Sequence, residues 1–417
     1  MCAACALSLG KPVLCVGSLS IDLLQFCRQV PQPNATEHCK KARWQRGGHA
    51  ANVCRVLHLL GVQTELLAML SRSSALQSML RELHRSNIET SHCPRTELEP
   101  AYKTVSIGPR AGQRSVVECD RNFPYVQAEH FQQLDLSQYG WVHFEARSLR
   151  ETLKMMRSIW EYNNGREERI RISLRVAADF AEHKDLFSMC DYVIVSHEMG
   201  VAQGWHSLDH ACQELRRTIA LPYSLHVRRP CFIISWGAVG AGCIDRAGNY
   251  ALLPAERVNF VVDSYGVGHC FTAALIYAKY MRQMELKSAL EFAIRIGAAK
   301  LMAIGYKHLA KLYTYPPDPR SDADTELIEP SDEEDAELRI CSAIFNRPID
   351  YTRHDRKSRP MANIAGATGE KRFSRTVEIF SRQVRSIIKS YREKSRQLST
   401  KFIAVVDLAA HANKKRT

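Results

Sequence analysis

Short apolar runs of the kind that form β-strands alternate with helical segments from residue 13 to residue 280 of this chain. The strand-like runs are residues 13–17, 65–70, 141–144, 171–176, 191–195 and 231–235, and the clearest helical segments are 48–60, 149–162 and 271–280. Apolar strands separated by helices form mostly parallel sheets that are covered on both faces. The pattern therefore predicts an α/β fold, a three-layer α/β/α sandwich.

Two stretches, residues 20–45 and 98–120, interrupt this alternation. Within them, segments such as 104–107 and 115–118 resemble short alternating strands, with the period of two that marks a half-exposed sheet. They do not fit the parallel core. We expect them to form a small β-sheet of their own.

The chain changes character after residue 315. Residues 316–319 contain three prolines, and an acidic run follows over 322–337. Repeated proline and like charge oppose packing, which predicts a solvated segment. We therefore divide the chain into an α/β domain over residues 1–315, an acidic, Pro-containing linker over 316–338, and a basic extension over 339–417.

The basic extension leaves two interpretations open. Residues 371–396 place apolar side chains at spacings of three and four with Arg and Lys between them, which predicts an amphipathic helix. Such a helix most often docks on its own domain or on a partner, whose identity the sequence leaves unknown. Binding to nucleic acid or a membrane surface is the alternative, but no known nucleic-acid motif supports it, so we expect neither.

Cysteine usage and the N-terminus predict a cytoplasmic protein. The fourteen cysteines are scattered singly through strand-like and helix-like runs, as free thiols in a reducing compartment would be. Cys2 and Cys5 lack a second pair at zinc-finger spacing, so we predict no protein metal site. No basic region followed by a long apolar stretch opens the chain, and no apolar run is long enough to span a bilayer.

Residues 263–271 read Asp-Ser-Tyr-Gly-Val-Gly-His-Cys-Phe, between a strand-like run at 258–262 and the apolar helix at 271–280. Glycines allow the backbone to approach an anion closely, and the first N–H groups of a helix point at it. Gly266, Val267 and Gly268 therefore form a candidate anion hole. We expect His269 at the first helical position, where its side chain would lie beside a bound phosphate.

A second motif joins this turn in a resemblance to a known family. The segment Arg43-Trp44-Gln45-Arg46-Gly47-Gly48-His49-Ala50-Ala51-Asn52 is similar to the sugar-binding signature of ketohexokinases, Arg-Trp-Gln-Arg-Gly-Gly-Asn-Ala-x-Asn. The turn at 263–269 is similar to the Asp-Thr-x-Gly-Ala-Gly-Asp motif of the ribokinase/PfkB carbohydrate kinases. The resemblance covers about residues 12 to 312. It implies a ribokinase-like sandwich whose small sheet is a lid over the substrate.

The resemblance also implies an activity and a set of binding residues. These enzymes transfer the ATP γ-phosphate to a primary hydroxyl of a ketose such as fructose, with Mg held mainly by ATP, and ketohexokinases dimerise through their lids. The implied sugar-binding positions are Asp22, Asn34, Gly47, Gly48, His49, Asn52 and Arg147. The implied nucleotide-binding positions are Trp236, Gly237, Gly240 and Met302. By this resemblance we expect a homodimer that clasps through the lid.

Several of these positions depart from the family pattern. His269 replaces the family's catalytic Asp, Val267 replaces an Ala, and His49 replaces an Asn. Neutral imidazole has a pKa near 6.5 and can accept a proton from a sugar hydroxyl, although the larger ring changes the geometry. Three hypotheses follow: a ketose kinase of reduced efficiency, a pseudokinase that binds or regulates, for example as a heterodimer, and a nucleic-acid binder acting through residues 339–417.

Overall fold

Fourteen strands and nine helices make up the part of the chain that the structure, a computed structural model, describes: residues 10–34, 36–108, 114–120, 122–177, 180–220 and 229–312. The strands are β1 (Val13–Gly17), β2 (Ser20–Phe26), β3 (Lys41–Gly47), β4 (Thr64–Ala68), β5 (Leu70–Ser71), β6 (Arg95–Thr96), β7 (Tyr102–Ile107), β8 (Arg114–Cys119), β9 (Trp141–Glu145), β10 (Arg171–Val176), β11 (Tyr192–Val195), β12 (Cys231–Ser235), β13 (Gly240–Ile244) and β14 (Tyr250–Pro254). The helices are α1 (His49–Leu59), α2 (Ser74–Arg85), α3 (Ala128–Phe131), α4 (Leu149–Asn163), α5 (Lys184–Phe187), α6 (His197–Ala202), α7 (Leu208–Ala220), α8 (Val267–Tyr280) and α9 (Leu286–Leu301).

The main sheet has eight strands in the order β14-β13-β12-β11-β10-β9-β1-β4. Strands β4, β1, β9, β10, β11 and β12 run parallel, and β13 and β14 add an antiparallel edge. All six predicted strand-like core runs lie in the parallel part. The predicted three-layer α/β/α sandwich is confirmed.

Strand β1 shows why these runs are apolar throughout. Val13 and Cys15 pack into one apolar core with α1, α8 and α9, whereas Leu14 and Val16 pack into the other core with α4 and α7. Successive side chains of a strand point to opposite faces, so a strand between two helical layers buries both sets. Burial on both faces favours apolar residues at most positions.

The second sheet has four strands in the order β3-β2-β7-β8, and we call it the lid. Its strands lie almost entirely within the two predicted stretches, 20–45 and 98–120, and only the end of β3 extends beyond them. Leu24, Val105 and Ile107 are buried on one of its faces. Trp44 and Val117 are each 60% exposed, so the lid also carries uncovered apolar surface.

Two predictions around the glycine turn were wrong. Residues 258–262 form no strand, because the main sheet ends at β14 and the N–H groups of Val262 and Asp263 both donate to the carbonyl of Leu301 at the end of α9 (2.7 and 3.3 Å). Helix α8 begins at Val267 rather than at residue 271, since the left-handed Gly266 (φ 91°) starts it. His269 is therefore the third helical residue, not the first.

The remaining predictions about the chain fall partly outside the described residues. Within those residues, no helix is both long and apolar enough to cross a bilayer, and no cluster of three His, Cys, Asp or Glu side chains could ligate a metal. The described cysteines are free thiols. Cys2 and Cys5, the linker over 316–338 and the extension over 339–417 lie outside the described residues.

Two glycines near the antiparallel edge of the main sheet allow a matched test of the packing of β13 against β14. A Cβ at Gly240 (φ 133°) would lie 2.0 Å from the carbonyl oxygen of Leu253, whereas a Cβ at Gly237 (φ 54°) would meet nothing within 4 Å. We expect Gly237→Ala to lower the free energy of unfolding by about 1–2 kcal/mol, the cost of a left-handed residue. Gly240→Ala should lower it by more than about 3 kcal/mol, because β14 must also move. Urea denaturation measures both losses, and equal losses would contradict the close packing of β13 on β14.

Candidate active site

Several of the predicted site residues lie at the carboxyl end of the parallel sheet. Ser18 follows β1 and joins two neighbouring elements: its N–H and hydroxyl donate to Glu145 Oε2 at the end of β9 (2.9 and 2.6 Å). The Ser18 hydroxyl accepts from the N–H of His49, the first residue of α1 (3.0 Å). Ligand sites of open α/β sheets lie in the crevice at this edge.

Asp22, on the lid strand β2, is completely buried. Its Oδ1 accepts a hydrogen bond from the Ser20 hydroxyl (2.7 Å), and its Oδ2 accepts one from the Tyr265 hydroxyl. A Cβ at Gly47 would lie 1.8 Å from Oδ1, so only glycine leaves room for this carboxylate. Burial raises the pKa of Asp22, against the opposing effect of both hydrogen bonds.

A second close approach explains Gly48. At this residue (φ 90°) the chain turns from β3 into α1, and a Cβ would lie 2.3 Å from the carbonyl oxygen of Ser18. The two glycines of the signature therefore have separate functions. Gly47 makes room for a carboxylate, and Gly48 lets α1 start directly against the end of β1.

A buried ion pair anchors the glycine turn. Lys300, on α9, is completely buried and its Nζ lies 2.9 Å from Asp263 Oδ2, while it also donates to the backbone carbonyl of Asp263 (3.0 Å). The same carboxylate accepts from the N–H groups of Tyr265 (2.9 Å) and Gly305 (3.1 Å). Four contacts thus fix one residue at the start of the turn.

The start of α8 is open to a ligand on one side. A Cβ at Gly266 would lie 2.1 Å from the Tyr306 hydroxyl, so that glycine is required by packing. A Cβ at Gly268, in contrast, would meet nothing within 4 Å, and the residue is exposed. Because the N–H groups of His269 and Cys270 already donate to Gly266, those of Val267 and Gly268 are the ones that an anion here would use.

His269 lies beside this opening and is held by aromatic neighbours. Its Nδ1 is 3.3 Å from the Tyr306 hydroxyl, and its ring centroid is 6.2 Å from that of Tyr265. Desolvation, with the positive charge of Arg175 second, lowers the pKa of His269 well below its ordinary value. The imidazole is therefore neutral at neutral pH, and Nε2 has no hydrogen-bond partner among the described residues.

His49 connects His269 to a buried polar chain. The rings of His49 and His269 are 5.1 Å apart, and His49 Nε2 lies 3.0 Å from Nε2 of His143 on β9. His143 Nδ1 in turn lies 2.8 Å from the hydroxyl of Ser173, its register partner on β10. Burial lowers the pKa of His143 to about 3 and that of His49 well below 6.5, so both are neutral.

Two buried side-chain nitrogens of α1 lack hydrogen-bond partners within the described part of the chain. They are His49 Nδ1 and Asn52 Nδ2. Asn52 is held from its other end, because Arg46 donates to its Oδ1 (3.2 Å) and to the carbonyl of Ala51 (2.7 Å). Buried polar atoms are rarely left unpaired, which marks both nitrogens as candidate ligand contacts.

Arg147 joins the lid to the main sheet. It follows β9, and its guanidinium pairs with Asp120 Oδ2 (2.5 Å) and Glu118 Oε2 (3.3 Å) at the end of the lid strand β8. It also lies 5.0 Å above the ring of Tyr125. These contacts place Arg147 at the rim of the crevice, where its first function is to hold the lid.

Asn34 does not lie in the crevice of its own chain. It is exposed in the connection between β2 and β3, with a left-handed backbone (φ 61°). Asn is among the residues that adopt this conformation most readily. The predicted contact of Asn34 with a partner subunit's sugar stays a prediction.

The predicted nucleotide-binding residues lie in two places. Trp236 is buried, with its ring centroid 4.7 Å from that of His197, so it packs as core, while Gly237 and Val239 in the following turn are exposed. Met302 ends α9, half-buried. An adenine contact by these residues stays a prediction.

Sequence reasoning missed several residues of this region: Tyr265, Tyr306, Lys300, His143 and Arg175. A lysine within the apolar helix α9 and a histidine within the buried strand β9 were available as signals, because buried polar groups need partners. Arg175, at the end of β10, is half-buried, and the described residues offer its guanidinium neither an ion pair nor a hydrogen bond. Nothing in the spacing of these residues showed that they meet.

Comparisons with known proteins show what the sequence is similar to. The sequence profile of the pfkB family carbohydrate kinases matches residues 11–308. The chain is 25% identical to mouse (Mus musculus) ketohexokinase over 299 residues, which cover 71% of this chain and 98% of that enzyme.

Solved structures share the fold. A ribokinase from Cryptococcus neoformans in complex with ADP superposes with a TM-score of 0.58 and 17% identity, covering 72% of this chain and 96% of that one. A ribokinase from Arabidopsis thaliana complexed with ribose and ATP gives a TM-score of 0.57 and 16% identity, covering 73% and 99%. The family profile spans well over half of the chain, and the matched residues 11–308 of this chain include the lid, the glycine turn and every strand of the main sheet. The chain therefore belongs to the pfkB family of carbohydrate kinases.

Proposed function

We propose that this protein phosphorylates a ketose sugar such as fructose at a primary hydroxyl, with ATP as the donor, at reduced efficiency. The observation that carries the proposal is that predicted site residues from the lid, from α1 and from the glycine turn are neighbours. Asp22 bonds to Tyr265, the Tyr265 ring lies 6.2 Å from that of His269, and the His269 ring lies 5.1 Å from that of His49. Carboxylate, imidazole and the open start of α8 are thus neighbours.

The sugar would contact groups from the lid and from α1. Asp22 accepts hydrogen bonds from hydroxyls, and the two unpartnered nitrogens, His49 Nδ1 and Asn52 Nδ2, complete the set. On sugar binding, each of these two nitrogens would gain a hydrogen-bond partner that the described residues do not offer. A ligand with several hydroxyl groups therefore fits this side of the crevice. The similarity to ketohexokinase supports a ketose as the ligand.

The phosphates would lie at the start of α8. The open space at Gly268 and the N–H groups of Val267 and Gly268 fit an anion, and Arg175, whose positive charge acts on His269, adds attraction for phosphates. When bound, ATP supplies the phosphoryl group, and its phosphates hold most of the Mg coordination. The ribokinases of similar fold that were solved with ADP or ATP support this nucleotide side.

His269 would accept the proton of the attacking hydroxyl at Nε2, while Tyr306 holds the ring through Nδ1. A pKa well below 6.5 keeps the imidazole neutral and available, but it also makes it a weak proton acceptor. Positioning and electrostatics supply most of the catalysis in phosphoryl transfer, so turnover continues with a weak base. This accounts for reduced rather than absent activity.

A catalytically impaired pseudokinase is the second candidate. The engagement of Asp22 favours it, because both carboxylate oxygens already accept hydrogen bonds from protein hydroxyls. Such a protein would act by binding, for example as a heterodimer with an active relative. The two candidates differ in turnover rather than in fold.

We also propose that two copies associate through the lid. Trp44 and Val117 are exposed on lid strands β3 and β8, and the strand register places them on the same face of the lid. Exposed apolar side chains grouped on one sheet are typical of an interface. The predicted position of Asn34 toward a partner's sugar requires the same arrangement.

Substitution of His269 tests the activity. In a coupled assay with ATP and D-fructose, we expect measurable turnover by the natural chain and a loss of about 10² to 10⁴ in kcat for His269→Ala, the usual contribution of a general base. His84→Ala, an exposed histidine on α2, is the control and should change nothing. Turnover that appears only in His269→Asp would support the pseudokinase. Absence of turnover in both the natural chain and His269→Asp would reject the kinase.

The pH dependence of turnover tests the state of His269. The base must be neutral, and its pKa in the free protein is below 6.5, so kcat/KM should decline only as the pH falls below about 6.5. Arg175→Met removes a positive charge that lowers this pKa, so the decline should begin at a higher pH. If Arg175→Met leaves the pH at which kcat/KM declines unchanged, the assignment of His269 as the base is contradicted.

The lid interface is testable by solution mass. We expect Val117→Asp to convert a dimer to monomers, since the substitution places a carboxylate in each copy of a self-complementary apolar surface. Val201→Asp, on α6 and 53% exposed, is the matched control outside the lid. Size-exclusion chromatography with light scattering measures the mass. Dimers that survive Val117→Asp but dissociate with Val201→Asp would locate the interface elsewhere.

A further inference from the structure

Tyr265 is the residue of the glycine turn that reaches the lid. Its N–H is fixed by Asp263 Oδ1 (2.9 Å), and the following residue, Gly266, turns the chain into α8. The backbone on both sides of Tyr265 is therefore held, and so is the direction of its side chain. The ring packs with three buried side chains of lid strands β2 and β7, namely Leu24, Val105 and Ile107.

The Tyr265 hydroxyl donates to Asp22 Oδ2. A phenol O–H and a sugar O–H are the same kind of donor, and both pair well with a carboxylate. Tyr265 therefore makes, within the protein, the contact that a bound sugar would make with Asp22. Burial raises the pKa of Tyr265, so its hydroxyl stays protonated and keeps its donor at all ordinary pH values.

The surroundings of Asp22 leave few other approaches to it. The side chain is completely buried, the backbone of Gly47 lies against Oδ1, and the Ser20 hydroxyl bonds to that oxygen as well. Tyr265 covers the other oxygen. A sugar hydroxyl that pairs with Oδ2 in full must displace the phenol.

We propose that Tyr265 is an internal competitor of the sugar, which sets the affinity of the site by occupying Asp22 and by holding the lid on the glycine turn. This inference rests on the proposed function in taking a sugar as the ligand of Asp22. Binding of the sugar exchanges one hydroxyl for another at Oδ2. Because the Tyr265 ring also touches the lid and lies near His269, the exchange links sugar binding to the position of the lid and of the base.

Tyr265→Phe tests the competition directly, because it removes the hydroxyl and keeps the ring. Tyr139→Phe is the matched control: Tyr139 is also buried and donates to a carboxylate, Glu65 Oε2 (2.6 Å), but it precedes β9 at the opposite end of the sheet. Isothermal titration calorimetry with D-fructose measures the affinity of the full-length proteins. We expect Tyr265→Phe to bind about tenfold more tightly than the natural chain, since a hydrogen bond to a charged group no longer competes. The control should bind as the natural chain does.

Amide hydrogen exchange tests the second part of the proposal, that the Tyr265 hydroxyl holds the lid on the glycine turn. Without sugar, the amides of β2 should exchange faster in Tyr265→Phe and unchanged in Tyr139→Phe. Equal or weaker fructose binding by Tyr265→Phe, whatever the exchange of β2, overturns the proposal, because the phenol then only stabilises the lid or assists the sugar. The proposal is also overturned if fructose binds neither to the natural chain nor to Tyr265→Phe. Tighter binding without ATP turnover supports it and rejects only the kinase.

Discussion

The buried ion pair between Lys300 and Asp263 holds together the parts of the molecule that make up its candidate site. It connects the end of α9 to the beginning of the glycine turn, and the backbone N–H groups of Tyr265 and Gly305 join the same carboxylate. Both charges are fully buried, and removal of one partner from such a pair typically costs about 3–5 kcal/mol. The turn, the start of α8 and the side chains they carry are therefore positioned by a contact that contains none of the reacting groups.

The predicted exchange of the family's carboxylate for an imidazole at position 269 would change the charge of the site as well as its base. Arg175, Lys103, Arg114 and Arg46 all act on His269 and lower its pKa. The same positive charges would stabilise an ionised Asp. With a neutral imidazole in its place, the crevice is more positive toward an anionic phosphate and carries a weaker proton acceptor.

The sequence predicted the parts of the fold that follow from local pattern. Continuous apolar runs identified the parallel strands, because each is buried on both faces, and alternating runs identified the lid. The strand prediction for residues 258–262 was wrong because an apolar run does not reveal whether the edge of a sheet is available to it, and this run meets the end of α9 instead. Among the site residues, Gly47, Gly48 and Gly266 were predicted from a motif, and the structure supplies the close contacts that require them.

Sequence motifs and hydrophobic periodicity thus predicted the family, the layers and the glycine turn, because these features depend on residues that are close together in the chain. The same patterns did not predict the pairing of Asp22 with Tyr265, of His49 with His143 or of Lys300 with Asp263. Each pair joins residues far apart in the chain, and their ionisation states follow from burial that exists only in the folded molecule. Desolvation, rather than residue type, lowers the pKa of the histidines and keeps them neutral. Burial also leaves Asp22 as the hydrogen-bond partner of the Tyr265 hydroxyl.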